Sequence, residues 1–273
     1  MSRIRTLSLT LILALLLALS VAPSLAQEAT PSNLPAPVHA VRFDGFGFML
    51  DSTIARNVNI SQVEGANVAD YAPGFTEPAY TQFGLYNDFP APQSLFEAHG
   101  GLRVYDIAAL EGFTEELATV ERLQALLNQR PQLVTAVMPD MSSRESWLPF
   151  LPVAPHGQVA RAKAHYLDNG AVSGIAYLVA LQAAREPFTA STFVYTFQGI
   201  SADGRTYVVG VFPVLASVFP VELEAFNPDE FAAQFNQYLL DSVNALESAE
   251  PTAFSPSLDL LDALVLSISI GQG

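Results

Sequence analysis

Hydrophobic and polar positions change period several times along this chain, and each change marks an expected element. From Val38 to Leu50 aromatic, β-branched and glycine residues alternate with the period of two of a strand. Arg56 to Val63 sets Val58 and Ile60 against Asn57, Asn59 and Ser61 in the same way. This pattern predicts two antiparallel strands joined around Asp51-Ser52. Tyr80 to Tyr86 and Leu102 to Ile107 are further strand segments, separated by the loop residues Asn87 to Gly101.

At Thr114 the period becomes helical and stays so to about Arg130. Leu117, Val120, Leu123 and Leu127 form one apolar face, Glu115 and Glu116 sit where the helix dipole favours negative charge, and Thr114 is placed to cap the start. Pro131 marks the end. Met138 to Pro155 is dense in Pro and Ser and holds the single tryptophan, Trp147. Trp147, Leu148, Phe150 and Leu151 call for burial, so this stretch reads as a long ordered loop laid over the core.

Two hairpins follow. Gln158 to Leu167 and Val172 to Gln182 flank Asp168-Asn169-Gly170, and Phe193 to Ile200 and Thr206 to Val214 flank Ala202-Asp203-Gly204. The last three of these strands are apolar on both parities, so both of their faces are covered. Asn227-Pro228-Asp229-Glu230 starts a helix with an asparagine cap, a proline in the first turn and Glu230 able to reach back. Phe231, Phe235, Tyr238, Leu239, Val243 and Leu246 make its buried stripe. A last helix starts near Ser255-Pro256 and runs through Leu258, Leu261, Leu264, Val265 and Ile268; its apolar run is too short to span a bilayer and contains Asp259 and Asp262. The expected fold is one α+β domain over residues 38–271, with a predominantly antiparallel central sheet and helices packed on it, in the manner of an α/β/α sandwich.

The N-terminus adds a compartment. Leu7 to Val21 is almost unbroken apolar sequence, preceded by Arg3 and Arg5 and followed by Ser24-Leu25-Ala26. That is the layout of a secretory signal peptide over residues 1–26 with cleavage after Ala26, and it implies a secreted or otherwise extracytoplasmic protein. Gln27 to Pro37, rich in Pro, Thr, Ser and Ala without periodicity, reads as a disordered leader. The chain has no cysteine, which excludes lipid attachment through a cysteine, disulfides, thiolate metal sites and thiol nucleophiles.

Charge narrows the partners. The chain has 12 Lys+Arg against 27 Asp+Glu, a net charge of −15, and loss of Arg3 and Arg5 takes this to −17. Such a surface repels nucleic acid and anionic membranes, so neither is an expected partner, and no stable membrane insertion is expected after signal cleavage. Asp203-Gly204 is not followed by the oxygen ligands of a calcium loop.

Catalytic spacing is absent from the sequence. Ser173, between Gly170 and Gly174, has the wrong offset for a nucleophile elbow; His39, His99, His156 and His165 lack the close pairing of a helical metal site; Gly45-Phe46-Gly47 has no helix start after it. Glu115, Glu116, Glu121, Asp229, Glu230 and Asp241 fall on solvated helix positions rather than in a carboxylate pair. No catalytic residue, metal ligand or cofactor is assigned. One pattern stands out against the acidic background: Arg161, Lys163 and His165 occupy alternate positions of a strand and are expected on one face, with Ala160, Ala162 and Ala164 on the other. That face could receive an anionic ligand or a carboxylate-bearing peptide; its alternative use is to cover the sheet and pair with nearby acids. The aromatic group Phe43, Phe46, Phe48, Phe75, Tyr80, Phe83, Tyr86 and Phe89 serves a core, or lines a cleft.

The segments Val41-Arg42-Phe43-Asp44-Gly45-Phe46, Asp51-Ser52-Thr53-Ile54-Ala55, Trp147-Leu148-Pro149-Phe150-Leu151-Pro152 and Phe193 to Val214 together resemble a group of exported bacterial proteins without an established activity. More loosely, the order of strands, middle helix, long antiparallel strands and C-terminal helix is similar to the Mog1/PsbP-like α/β/α sandwich, a likeness of pattern that implies a fold and no function. The expected role is that of a non-enzymatic extracytoplasmic binding or accessory protein for a small molecule or partner protein. A hydrolase acting on an extracellular polymer and a structural envelope protein are the alternatives.

Overall fold

The strand and helix segments assemble into an α+β fold in the computed structural model, which describes residues 37–66, 77–97, 99–133, 146–154 and 156–271. The signal segment and all of the leader except Pro37 lie outside the described residues, as do Phe75 and most of the first part of the Met138 to Pro155 loop. The described residues all belong to one compact unit.

Strands β1 (Val38–Phe43) and β2 (Phe46–Asp51) form a hairpin of their own, reversing at Asp44-Gly45 with φ of 48° and 76°. The expected junction at Asp51-Ser52 is therefore not a hairpin. Gly45 accepts the positive φ that a tight reversal needs, whereas Asp51 closes a local turn, its Oδ1 accepting from the Thr53 amide at 2.8 Å and the Thr53 hydroxyl at 2.6 Å. β3 (Asn57–Val63) leaves this hairpin and pairs with β4 (Tyr80–Tyr86), which in turn pairs with β5 (Gly101–Asp106). Helix α1 (Thr114–Gln129) follows. Its cap is Phe113, not Thr114, and no side chain caps it; Phe113 itself is buried.

The two expected long hairpins are present as β6 (Gly157–Asp168) with β7 (Val172–Gln182) and β8 (Phe193–Ser201) with β9 (Thr206–Pro213). The short β10 (Leu215–Ala216) leads to α2 (Pro228–Ser248), where the Asn227 side chain accepts from the Asp229 amide at 3.0 Å and donates to Glu230 at 3.2 Å. β11 (Phe254–Ser255) pairs back onto β10 and delays the start of α3 (Leu258–Leu266), which is shorter at both ends than the apolar pattern indicates. β12 (Ser269–Ile270) then adds to β2.

Seven strands form one antiparallel sheet in the order β3-β4-β5-β9-β8-β7-β6. Its central strands are buried on both faces. Ala176, Leu178 and Ala180 of β7 join a core with α2, α3 and the β1–β2 hairpin, while Ile175, Tyr177 and Val179 join a second core with α1 and residues 146–154. Phe46 meets Phe83 tilted at 5.1 Å and Phe48 meets it edge-on at 5.7 Å, and these rings close the first core, so these members of the aromatic group are packing residues. In the middle of the sheet a Cβ on Gly174 would lie 2.3 Å from the Gln198 carbonyl oxygen and 2.6 Å from the Phe197 ring, so only glycine lets that ring lie on the strand. Among the described residues no helix is long and apolar enough to cross a membrane.

Candidate ligand groove

Strict alternation along β6 would put Arg161, Lys163 and His165 on one face, and the structure corrects this. The pairing with β7 slips between Gln158 and Ala160 and again between Ala162 and His165, and Lys163 takes a left-handed φ of 56°. Lys163 is the extra residue of a β-bulge, and beyond it the parity of the strand is reversed. Arg161 therefore points to the α1 side, while Lys163 and His165 reach the helices on the opposite side.

Both of those residues fasten helices to the sheet. Lys163 Nζ donates to the carbonyls of Glu247 and Ala249, each at 2.7 Å, and so sits at the negative end of α2; its backbone amide donates to Glu247 Oε1 at 2.9 Å. His165 joins α3: Nε2 lies 3.0 Å from Asp262 Oδ2, Nδ1 lies 2.8 Å from the Lys163 carbonyl, and the Tyr195 hydroxyl donates to Asp262 Oδ1 at 2.6 Å. Burial alone would lower the His165 pKa, but the Asp262 hydrogen bond and charge and the Lys163 carbonyl outweigh it and hold the pKa above its ordinary value. With a carbonyl on one ring nitrogen and a carboxylate on the other, the imidazolium form is the one the site favours. Such a ring has no lone pair left to activate a nucleophile.

On the other face the cover is a strap, residues 146–154, held by two glutamines. Gln158 accepts from the Leu148 amide at 3.1 Å and donates to the Leu148 carbonyl at 2.8 Å. Gln198 accepts from the Leu151 amide at 2.9 Å and donates to the Leu151 carbonyl at 3.1 Å. Each side-chain amide thus stands in for the backbone of a neighbouring strand and satisfies a buried stretch of chain that has no strand partner. Tyr177 adds a third bond, its hydroxyl donating to the Pro149 carbonyl at 2.8 Å, and Tyr207 supports Gln198 Oε1 at 2.9 Å. Burial drives the pKa of both tyrosines well up, so both remain neutral donors.

Between the strap and α1 runs a groove of about 460 Å³. Its walls are Trp147, Leu148 and Phe150 on one side and Ala118, Arg122 and Ala125 on the other, with Gln158 and Leu181 among the floor residues. Ala118 and Ala125 lie two turns apart and leave open the space a larger side chain would fill. Glu115 and Glu121 stand at the α1 rim. The volume falls in the range of small-molecule sites, and the walls are mostly apolar.

Arg161 lies behind this region. It is 4 % exposed, donates to the Ser146 carbonyl at 2.8 Å, and has no carboxylate partner among the described residues; its Nε has no hydrogen-bond partner there. Burial lowers its pKa and the neighbouring Tyr177 opposes that. Arg103, buried beside the far end of the sheet, differs: it bonds Gln82 at 2.9 Å and Glu77 at 3.2 Å and stacks 4.0 Å over the Tyr80 ring.

A second, wider cavity of about 990 Å³ lies between the Asp44-Gly45 turn and the turns that follow β6 and β8. Asp203 serves the turn after β8, accepting from Ser201 Oγ at 2.6 Å and the Arg205 amide at 3.1 Å, and Asp106 caps the short turn after β5, accepting from the Ala108 amide at 2.9 Å. Among the described residues no three His, Asp or Glu side chains converge as a metal site.

The groove escaped the sequence reading because its walls come from segments distant in the chain. One signal was present: Gln198, with Thr196, interrupts a largely apolar strand, and a buried glutamine needs partners. No family model, curated protein or solved structure matches the chain.

Proposed function

We propose that this is a non-enzymatic, extracytoplasmic binding or accessory protein that holds a small, elongated, largely apolar ligand with a polar end in the groove between α1 and the strap. The observation that carries the proposal is the preformed groove: its strap wall is fixed by paired hydrogen bonds from Gln158 and Gln198 to Leu148 and Leu151, so the space exists before a ligand arrives. Arg122 on the α1 wall supplies the polar end. Export rests on Leu7 to Val21 with the basic residues before it and the small residues after it.

A thermal-shift series with medium-chain fatty acids, fatty alcohols and aromatic carboxylates tests the reading. A ligand at about a hundred times its Kd stabilises the folded state by about 2.7 kcal/mol. Ala118→Trp, which fills the groove from an exposed helix position, abolishes the shift without lowering the Tm of the free protein. No shift with any of these compounds, or a shift that survives Ala118→Trp, overturns the proposal. For export, N-terminal sequencing of protein recovered outside the cytoplasm should begin at Gln27.

A further inference from the structure

Beyond Arg205 the sequence carries nine Asp or Glu residues and no Lys or Arg. Within this block every residue from Val221 to Glu230 is exposed, large apolar side chains included: Val221 is 82 % exposed, Leu223 40 % and Phe226 39 %, and Leu215 and Val218 are exposed beside them. From Val221 to Phe226 apolar residues interleave with Glu222 and Glu224, and Asp229 and Glu230 open α2 immediately afterwards. Among the described residues no backbone hydrogen bond is made by Val221 through Phe226. A run of chain with open backbone groups and exposed apolar side chains is a template for another chain.

Both ends of the run are fixed. The Ala190 amide donates to the Pro220 carbonyl at 2.8 Å, and Phe226 meets Phe231 at 5.6 Å, which meets Tyr238 edge-on at 4.9 Å and through it reaches Phe188 at 5.4 Å. The Phe226 end of the run is thus anchored on a ladder of aromatic rings. In the connection between β7 and β8 Arg185, 5.4 Å above the Phe235 ring, and Glu186 add no net charge. A second copy of the chain would set these carboxylates against their own kind, which opposes pairing, and an anionic lipid surface repels them.

We infer that Val221 to Phe226, with the first turn of α2, is a docking surface for an extended polypeptide segment that alternates basic and apolar residues. The partner adds along the open backbone, places its apolar side chains against Val221 and Leu223, and sets its cations against Glu222, Glu224, Asp229 and Glu230. This surface is separate from the groove and needs no ligand there.

A short peptide alternating Lys with Val and Leu is the probe, titrated against the isotopically labelled protein with an equally charged peptide of blocked sequence and a Glu-for-Lys peptide as controls. Amide shifts confined to residues around 221–234, and preference for the alternating peptide over both controls, support the inference. Val221→Ser with Leu223→Ser, and separately Glu222→Gln with Glu224→Gln, should each weaken binding about tenfold or more. These exposed positions leave the fold intact, checked by unchanged thermal unfolding. As an independent arm, Glu222→Lys with Glu224→Lys should transfer the preference to the Glu peptide. Equal binding of the blocked peptide, shifts centred elsewhere on the acidic surface, capture by anionic vesicles, or self-association sensitive to the same substitutions would each overturn it.

Discussion

The two faces of the seven-stranded sheet are covered by different means. On one, α2 and α3 lay leucine, valine and phenylalanine side chains on the sheet, and helix backbones satisfy themselves, so apolar contact does the work. On the other, α1 covers only part of the face, and the remainder is covered by the strap at residues 146–154, which lacks its own secondary structure over most of its length. Such a strap must borrow hydrogen bonds, and Gln158, Gln198 and Tyr177 provide them from inside an apolar sheet. The helical cover packs closely on the sheet. The strap cover stands off α1 and leaves the groove. A surface closed by specific polar bonds can be held open at a set distance, which close apolar packing does not allow.

This contrast is open to test. On the helical face Leu261→Ala, at a fully buried position, should cost about 3 kcal/mol by creating a cavity and should leave the emission of Trp147, the single tryptophan, unchanged in the folded state. On the strap face Gln198→Leu should cost about 2 kcal/mol, because the Leu151 amide and carbonyl lose their partner, and should shift the Trp147 emission as the strap loosens. If both substitutions moved the emission equally, the two covers would not be independent. Arg161→Met should change stability by less than about 1 kcal/mol in either direction, since a buried cation without a carboxylate among the described residues gains little that a shape-matched apolar side chain lacks; chemical denaturation measures it, and a loss comparable with that of Gln198→Leu would show a structural role for the guanidinium.

The smallest effect belongs to His165, whose side chain is 39 % exposed and partly screened. Its pKa is raised in the folded state above 6.5, so its contribution is complete below that value and is lost as pH rises through the folded-state pKa. The Tm difference between the wild type and His165→Gln should therefore be largest in mildly acidic buffer and shrink towards alkaline pH. A difference that grows with pH would remove the Asp262 pairing as its cause.

Much of the helical face was legible in the sequence. The stripe from Phe231 to Leu246, the Asn227 cap and the two long hairpins follow from periodicity and turn chemistry, which act over a few residues. The left-handed bulge at Lys163 was not legible, because lysine at that conformation has no local signal and its cause is the carbonyl end of α2, more than eighty residues away. The same holds at Asp51-Ser52, where local polarity indicated a reversal that Asp44-Gly45 makes instead. The basic strip failed as a shared face for this reason: alternation is a rule for regular strands, and one inserted residue inverts it.

By itself the sequence determined the α+β class, the order and most boundaries of the elements, the strong negative charge and the absence of thiol chemistry, since these depend on composition and short-range pattern. Only the tertiary structure decided which strands share a sheet, which face each basic residue reaches, and that a proline-rich loop becomes one wall of a groove. Those outcomes depend on contacts between segments far apart in the chain, where a few buried hydrogen bonds select one arrangement from many that the apolar pattern alone would permit.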